Sequence, residues 1–206
     1  MRNLRMQSVD SPFDQLGLAP HTAAALSRAD AMGLLGEPVT CLDFSALEQL
    51  RSGMAKAGIG EAFVAEFEQL RTGDPAQIRA LVTKIIDALE QSPAPRHEWP
   101  ALVEVLGLEL AVRLLGISQS SARRYRSGER STPDSVAARV HFLALVVGDL
   151  AGAYNDIGIR RWFDRPRSQL HGTAPAEALG TQWSPDDPAA RRVRELASAL
   201  VSSPAT

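Results

Sequence analysis

The chain has 206 residues, 45% of them hydrophobic and 22% charged, with a formal net charge of −2. These are ordinary globular values, which exclude a low-complexity or charge-dominated disordered chain. Aromatic residues make up only 5%, so the core must be mostly Leu, Val and Ala, a composition that favours helices. Cys41 is the only cysteine, so no disulfide can form within the chain, which suits a reducing compartment. The opening MRNLRMQSVDSPFDQL lacks the apolar run of a signal peptide, and no stretch is long and apolar enough to span a bilayer. The expectation is a soluble, cytoplasmic protein without a membrane partner.

The small net charge hides an asymmetry. The first 98 residues hold 9 Lys and Arg against 13 Asp and Glu; the remainder hold 13 against 11. In the second half the arginines gather in two groups, Arg123, Arg124, Arg126 and Arg130, then Arg160, Arg161, Arg165 and Arg167. Each group contains one acid, Glu129 or Asp164. An acidic partner would therefore meet the second half.

In chain order, DFSALEQLRSGM predicts a helix with Ser45 as N-cap, Glu48 closing a capping box, and Leu47, Leu50 and Met54 on one face. EAFVAEFEQL repeats apolar residues at Phe63, Val64, Phe67 and Leu70. In DPAQIRALVTKIIDALEQ, Asp74 caps, Pro75 takes the first helical position and Gln77 closes the box; Ile78, Leu81, Val82, Ile85, Ile86 and Leu89 form a stripe of 3.6-residue period. The three prolines of Ser92–Pro100 then predict a linker. Beyond it, Leu102–Leu106 and Leu108–Leu115 read as short apolar helices. STPDSVAARVHFLALVVGDLAGAY reads as a buried helix capped by Thr132, with Pro133 first. Asp187 and Pro188 open a final helix carrying Val193, Leu196, Ala197 and Leu200. The fold class is all-α: an N-terminal helical unit with a Pro-rich linker over residues 1–95, a middle region over 96–150, and a small helical unit over 151–206.

The middle region has the pattern of a helix-turn-helix. Ala111 is the small residue of the first helix, and Gly116 sits in the turn, where a positive φ is cheap only for glycine. Leu115, Ile117, Ala122 and Tyr125 would face inward, and Ser118 would cap the second helix. Gln119, Ser120, Ser121, Arg123, Arg124 and Arg126 are left outward, with no acid between Ser118 and Gly128. Gln and Arg make bidentate contacts with adenine and guanine edges, and Ser contacts base or phosphate. Arg126, Arg130 and Ser131 suit backbone phosphates. The bland alternative is two helices meeting at a glycine turn, with solvated arginines.

The second arginine group surrounds Trp162 and Phe163, followed by Pro166, Leu170, Gly172, Pro175 and Leu179. This ordered string, with the closing helix PAARRVRELASAL, resembles the toxin-binding domain of MbcA/ParS/Xre-type antitoxins, whose members often carry an Xre-like helix-turn-helix just upstream. The resemblance covers roughly residues 100–201. It implies a type II antitoxin that blocks the active-site cleft of an NAD+-consuming RES-domain toxin and represses its own operon as a homo-oligomer. Toxin contacts would come from Arg160, Arg161, Trp162, Phe163, Arg165 and Arg167, and from Arg191, Arg192 and Arg194 of a closing helix acting as a plug. Toxin neutralisation would then be separable from DNA binding, in a fragment beginning near Asp149. Two departures stand out: Arg167 occupies a position where the family usually has asparagine, and the unit over residues 11–91 exceeds the usual lead segment. For Trp162 and Phe163 the alternative is a core anchor.

Catalysis has little support. His21, His97, His141 and His171 form no pair at ligand spacing, His141 on an apolar helix reads as packed core, and no nucleophile elbow, Walker loop or dinucleotide fingerprint occurs. No catalytic residue, metal or cofactor is expected. Two other readings stay open: a stand-alone transcriptional regulator whose C-terminal part oligomerises, and a protein-interaction module with a vestigial helix-turn-helix.

Overall fold

The computed structural model describes residues 3–61, 64–70 and 74–202. It is mostly helical, 66% by residue, with a small two-stranded sheet. The elements in order are β1 (Leu4–Val9), α1 (Leu18–Ala31), β2 (Val39–Leu42), α2 (Phe44–Lys56), α3 (Val64–Gln69), α4 (Pro75–Gln91), α5 (Pro95–Leu106), α6 (Leu108–Leu115), α7 (Gln119–Ser127), α8 (Asp134–Leu150), α9 (Asp156–Asp164), a 3₁₀ turn (Ser168–Leu170), α10 (Pro175–Leu179) and α11 (Pro188–Ser202).

The sheet departs from the all-α expectation. β1 and β2 run parallel, pairing Leu4 with Val39 and Val9 with Leu42, and α1 makes the crossover between them. The buried Asp30 at the end of α1 accepts the amides of Asn3 and Leu4, at 3.2 and 3.3 Å, tying β1 to that helix.

Several helix starts differ by a residue or two from expectation. Asp43, not Ser45, caps α2: its carboxylate accepts from Ala46 N at 2.8 Å, and Glu48 is engaged by Arg51 instead. Asp74 caps α4 as expected, accepting from Ala76 N at 3.1 Å. Pro133, not Thr132, precedes α8, because the Thr132 hydroxyl accepts from Trp99 Nε1 at 3.0 Å. Phe63, expected on the stripe of α3, lies outside the described residues.

The Pro-rich stretch is not a linker. Pro95 begins α5 at a position where the missing N–H costs nothing, and the helix continues through Pro100. One lost bond at Pro100 is outweighed by burial of Trp99, Ala101, Leu102, Val105 and Leu106. Among the described residues, two apolar clusters form the interior. One is built mainly from α1, α2, α4 and β2; the other joins α5, α6 and α8 to the rings of α9 and the inner face of α11. α8 serves both: Val140, Leu143 and Val147 belong to the second cluster, whereas Ala144 and Leu145 belong to the first.

Buried charges cross the same seam. Asp149 of α8 pairs with Arg28 of α1, at 3.3 Å, and with Arg194 of α11, while Glu90 of α4 lies 3.2 Å from each arginine. Burial pushes the Asp149 carboxyl up against the pull of Arg194 and Arg28, and burial likewise lowers Arg194. His141, read as packed core, is buried and paired as well: Nδ1 lies 2.6 Å from Glu98 Oε1, and Nε2 lies 3.0 Å from the Glu90 carbonyl. Burial opposes a charged imidazole there, but the bond and charge of Glu98 with the Glu90 carbonyl outweigh it, and the His141 pKa is raised. Among the described residues no helix is long and apolar enough to cross a membrane.

Candidate nucleic-acid interface

α6 buries Leu110, Ala111, Leu114 and Leu115, and ends at Gly116 in the left-handed conformation, φ 64°. Ser118 starts α7, its Oγ accepting from Ser121 N at 3.1 Å. The same hydroxyl lies 3.0 Å from those of Ser120 and Ser121, so these serines are engaged with one another. Ala122 is fully buried beneath α7, and Tyr125 stacks at 6.2 Å on Trp99 of α5. These contacts fix which side of α7 faces outward.

That side carries Gln119, Ser120, Arg123, Arg124, Arg126 and Arg130, all exposed; Ser121 is half-buried. The guanidinium of Arg130 sits 5.8 Å from the Tyr125 ring. The side chains of Gln119, Arg123, Arg124 and Arg126 have no hydrogen-bond or ion-pair partner among the described residues. The outcome is a short helix with three uncommitted guanidinium groups and no carboxylate from Ser118 to Gly128.

The turn is held from behind by residues the sequence reading did not single out. Trp183 Nε1 donates to Leu114 O at 2.8 Å, and Arg139 Nη1 donates to Leu115 O at 2.7 Å and lies 3.4 Å from Thr181 O. Together they satisfy carbonyls that the end of α6 would otherwise leave open. A Cβ on Gly116 would lie 1.8 Å from Thr181 O, so glycine is required here by space as well as by φ. Trp183 was the one available signal: a lone indole in a loop, whose apolar bulk seeks the core and whose N–H seeks an acceptor.

No family model, curated protein or solved structure matches the chain.

The second arginine group is placed differently from expectation. Trp162 is 2% exposed and Phe163 0%, set edge-to-face at 5.2 Å in the core. Neither ring is open to a partner, so both are core anchors. Arg160 is committed to the end of α5, donating to Val105 O at 2.6 Å and Glu104 O at 3.2 Å. Arg167 lies over Trp162, 5.3 Å from the ring centre. Arg194 is taken up by Asp149 and Glu90 and cannot act as part of a plug. Arg161, Arg165, Arg191 and Arg192 reach solvent, Arg192 within 3.4 Å of His171 Nε2.

The remaining string residues shape the turn after α9. Pro166 follows the end of α9, Leu170 and Leu179 are buried, Gly172 has φ 81°, and Pro175 opens α10. Because Phe142 meets Trp183 at 4.9 Å and Ala190, Val193 and Ala197 of α11 join the core around α8, residues 151–202 share their interior with the middle region. A fragment beginning near Asp149 would lack most of that interior. Asp10, Cys41 and Asp43 bring ligand atoms within 4.8 Å of one another, but Asp43 is already the cap of α2.

Proposed function

We propose that this protein is a helix-turn-helix DNA-binding antitoxin that represses its own operon and neutralises a RES-domain toxin acting on NAD+. The observation that carries the DNA-binding part is α7: a capped helix braced on Trp99, with Gln119, Arg123, Arg124 and Arg126 uncommitted on its outer side. Such a side chain set reads guanine and adenine edges in the major groove, with Arg130 placed for phosphate. A single short helix offers few base contacts, so the functional unit is a dimer on two half-sites about 34 Å apart. The toxin-facing part rests on the resemblance alone, with Arg161, Arg165, Arg191 and Arg192 as the exposed members of the expected contact set.

The second reading, a stand-alone transcriptional regulator, is favoured by a specific observation. The C-terminal segment is spent on bracing the turn, through Trp183 and Thr181, and on pairing the buried Asp149, through Arg194, rather than held free for a partner. Co-expression with the neighbouring gene, scored by growth, separates the two. Rescue from a toxic neighbour supports the antitoxin, whereas operator binding without rescue leaves the regulator.

A further inference from the structure

Beside α9 lies a cleft of about 320 Å³ lined by Tyr154, Ile157, Arg161, Trp162, Arg165 and Arg167. Its charge is one-sided. Arg161 lies in the last turn of α9 and Arg165 is the extended residue that ends it, so two like charges line the cleft. The acid between them in sequence, Asp164, is paired with Arg113 of α6. Among the described residues Arg161 and Arg165 have no hydrogen-bond or ion-pair partner, and no carboxylate lines the cleft.

Arg167 completes the set and is held in place. Its amide donates to Thr173 O at 3.1 Å, its carbonyl accepts from Gly172 N at 2.9 Å, and its guanidinium rests over Trp162. The Nε atom is buried without a partner, so part of the desolvation cost of this cation is already met before any anion arrives. The lining also has an apolar part. Ile157 is 59% exposed, an unusual position for so large an aliphatic group. Tyr154 is pressed against the first turn of α9: a Cβ on Gly158 would lie 3.0 Å from Tyr154 Cβ and 3.1 Å from its ring.

We propose that this cleft binds the phosphoryl group of a small phosphate monoester, with Arg161, Arg165 and Arg167 around the anion and Tyr154 and Ile157 against the organic body. A phosphate monoester carries a charge of about −1.5 to −2 at neutral pH and three acceptor oxygens, which three guanidinium forks can divide between them. A carboxylate brings one charge and two oxygens, enough for one fork. The volume is near the lower end of small-molecule pockets, roughly 300–1,000 Å³, and fits a compact ester rather than a dinucleotide. The proposal does not rest on the antitoxin or DNA-binding reading.

The test is calorimetric titration of the full chain at low salt with phenyl phosphate, inorganic phosphate and benzoate. Saturable one-to-one binding of phenyl phosphate is expected, with both other probes at least about tenfold weaker. Arg161→Gln and Arg165→Gln each weaken phenyl phosphate by roughly tenfold, the loss of a charge-assisted bond, whereas Arg123→Gln on α7 does not. Ile157→Ser weakens phenyl phosphate and spares inorganic phosphate. All four positions are exposed, so thermal unfolding near that of the wild type is the check on folding. Absence of saturable phenyl phosphate binding overturns the proposal, as does equal affinity for benzoate, the chemistry of an acidic protein surface. Equal affinity for inorganic phosphate overturns the role of Tyr154 and Ile157. If phenyl phosphate fails to bind while Arg165→Gln weakens DNA binding, these arginines serve the DNA backbone and the proposal falls while the DNA-binding reading stands.

Discussion

Replacing Gly116 by alanine tests the bracing of the turn between α6 and α7 most sharply. An alanine at φ 64° bears a left-handed penalty of about 1–2 kcal/mol, partly offset by the stiffer unfolded chain. The larger cost is spatial. The new Cβ would lie 1.8 Å from Thr181 O and 2.8 Å from its carbonyl carbon, so backbone must retreat by more than an ångström. Retreat lengthens the Arg139 bonds to Leu115 and Thr181 and pulls Trp183 Nε1 from Leu114 O. Losing such bonds costs about 0.5–1.5 kcal/mol each, more where the indole N–H stays buried and unpaired. The total is about 3–5 kcal/mol. Gly128 is the internal control, because its φ of 75° carries the same conformational penalty with nothing within 4 Å of an added Cβ. Urea unfolding followed by circular dichroism should put Gly128→Ala about 1 kcal/mol below wild type and Gly116→Ala at least 2 kcal/mol lower again. With a slope near 2–3 kcal/mol/M, the second gap is roughly 1 M in midpoint. Equal midpoints for the two variants would refute the close approach of Thr181 to the turn.

Arg123→Ala with Arg124→Ala should abolish specific operator binding in a gel shift, at about 1–3 kcal/mol per lost base-edge contact, and leave thermal unfolding unchanged, since both side chains are exposed and unpartnered; an undiminished shift refutes the assignment of α7. Truncation after Asp187 removes Ala190, Val193 and Ala197 from the core and leaves Asp149 without Arg194, so cooperative unfolding and DNA binding should disappear together; a truncated chain that still melts cooperatively counts against the shared core. The raised His141 pKa makes its contribution to stability fully present below the unfolded value of 6.5 and lost as pH rises through the folded pKa. Melting temperature should therefore fall as pH rises above the unfolded value of 6.5 in the wild type, and Glu98→Gln should flatten that slope; parallel curves would show that the Glu98 contact does not set it.

What the sequence made legible was whatever local spacing controls. α4 could be read because Asp74, Pro75 and a stripe from Ile78 to Leu89 agree, and each of these acts within a few residues. The sheet was hidden because β2 is four residues long and β1 is mostly exposed, so their pairing depends on α1 delivering Asp30 and on a partner 35 residues away. Pro95 misled in the opposite way: a residue that breaks a helix interior is favoured at its first position, and only the buried face around Trp99 decides between the two. At the candidate interface, the order Ala111, Gly116, Ser118, Ala122 placed both helices and the outward arginines. Nothing local pointed to Arg139 and Thr181, and the lone indole of Trp183 signalled a buried ring but not its target; all three reach the turn from positions 23 or more residues further along. Trp162 and Phe163 stood out in sequence for their size, but size alone does not tell an interface from a core.

The position of α8 in the chain has a consequence for synthesis. The N-terminal half leaves the ribosome first, yet the surface of α1 that packs against α8 has no cover until residues 134–150 follow. At about 5–20 residues per second, the gap between the end of α1 and the end of α8 is on the order of ten seconds. During that interval the side of α1 that meets α8 faces water or whatever else is nearby, and Arg28 lacks its partner Asp149. Nascent chains of this protein are therefore expected to be substrates for holding chaperones at this stage, and to become protease-resistant only after α11 has emerged to complete the pairing at Asp149.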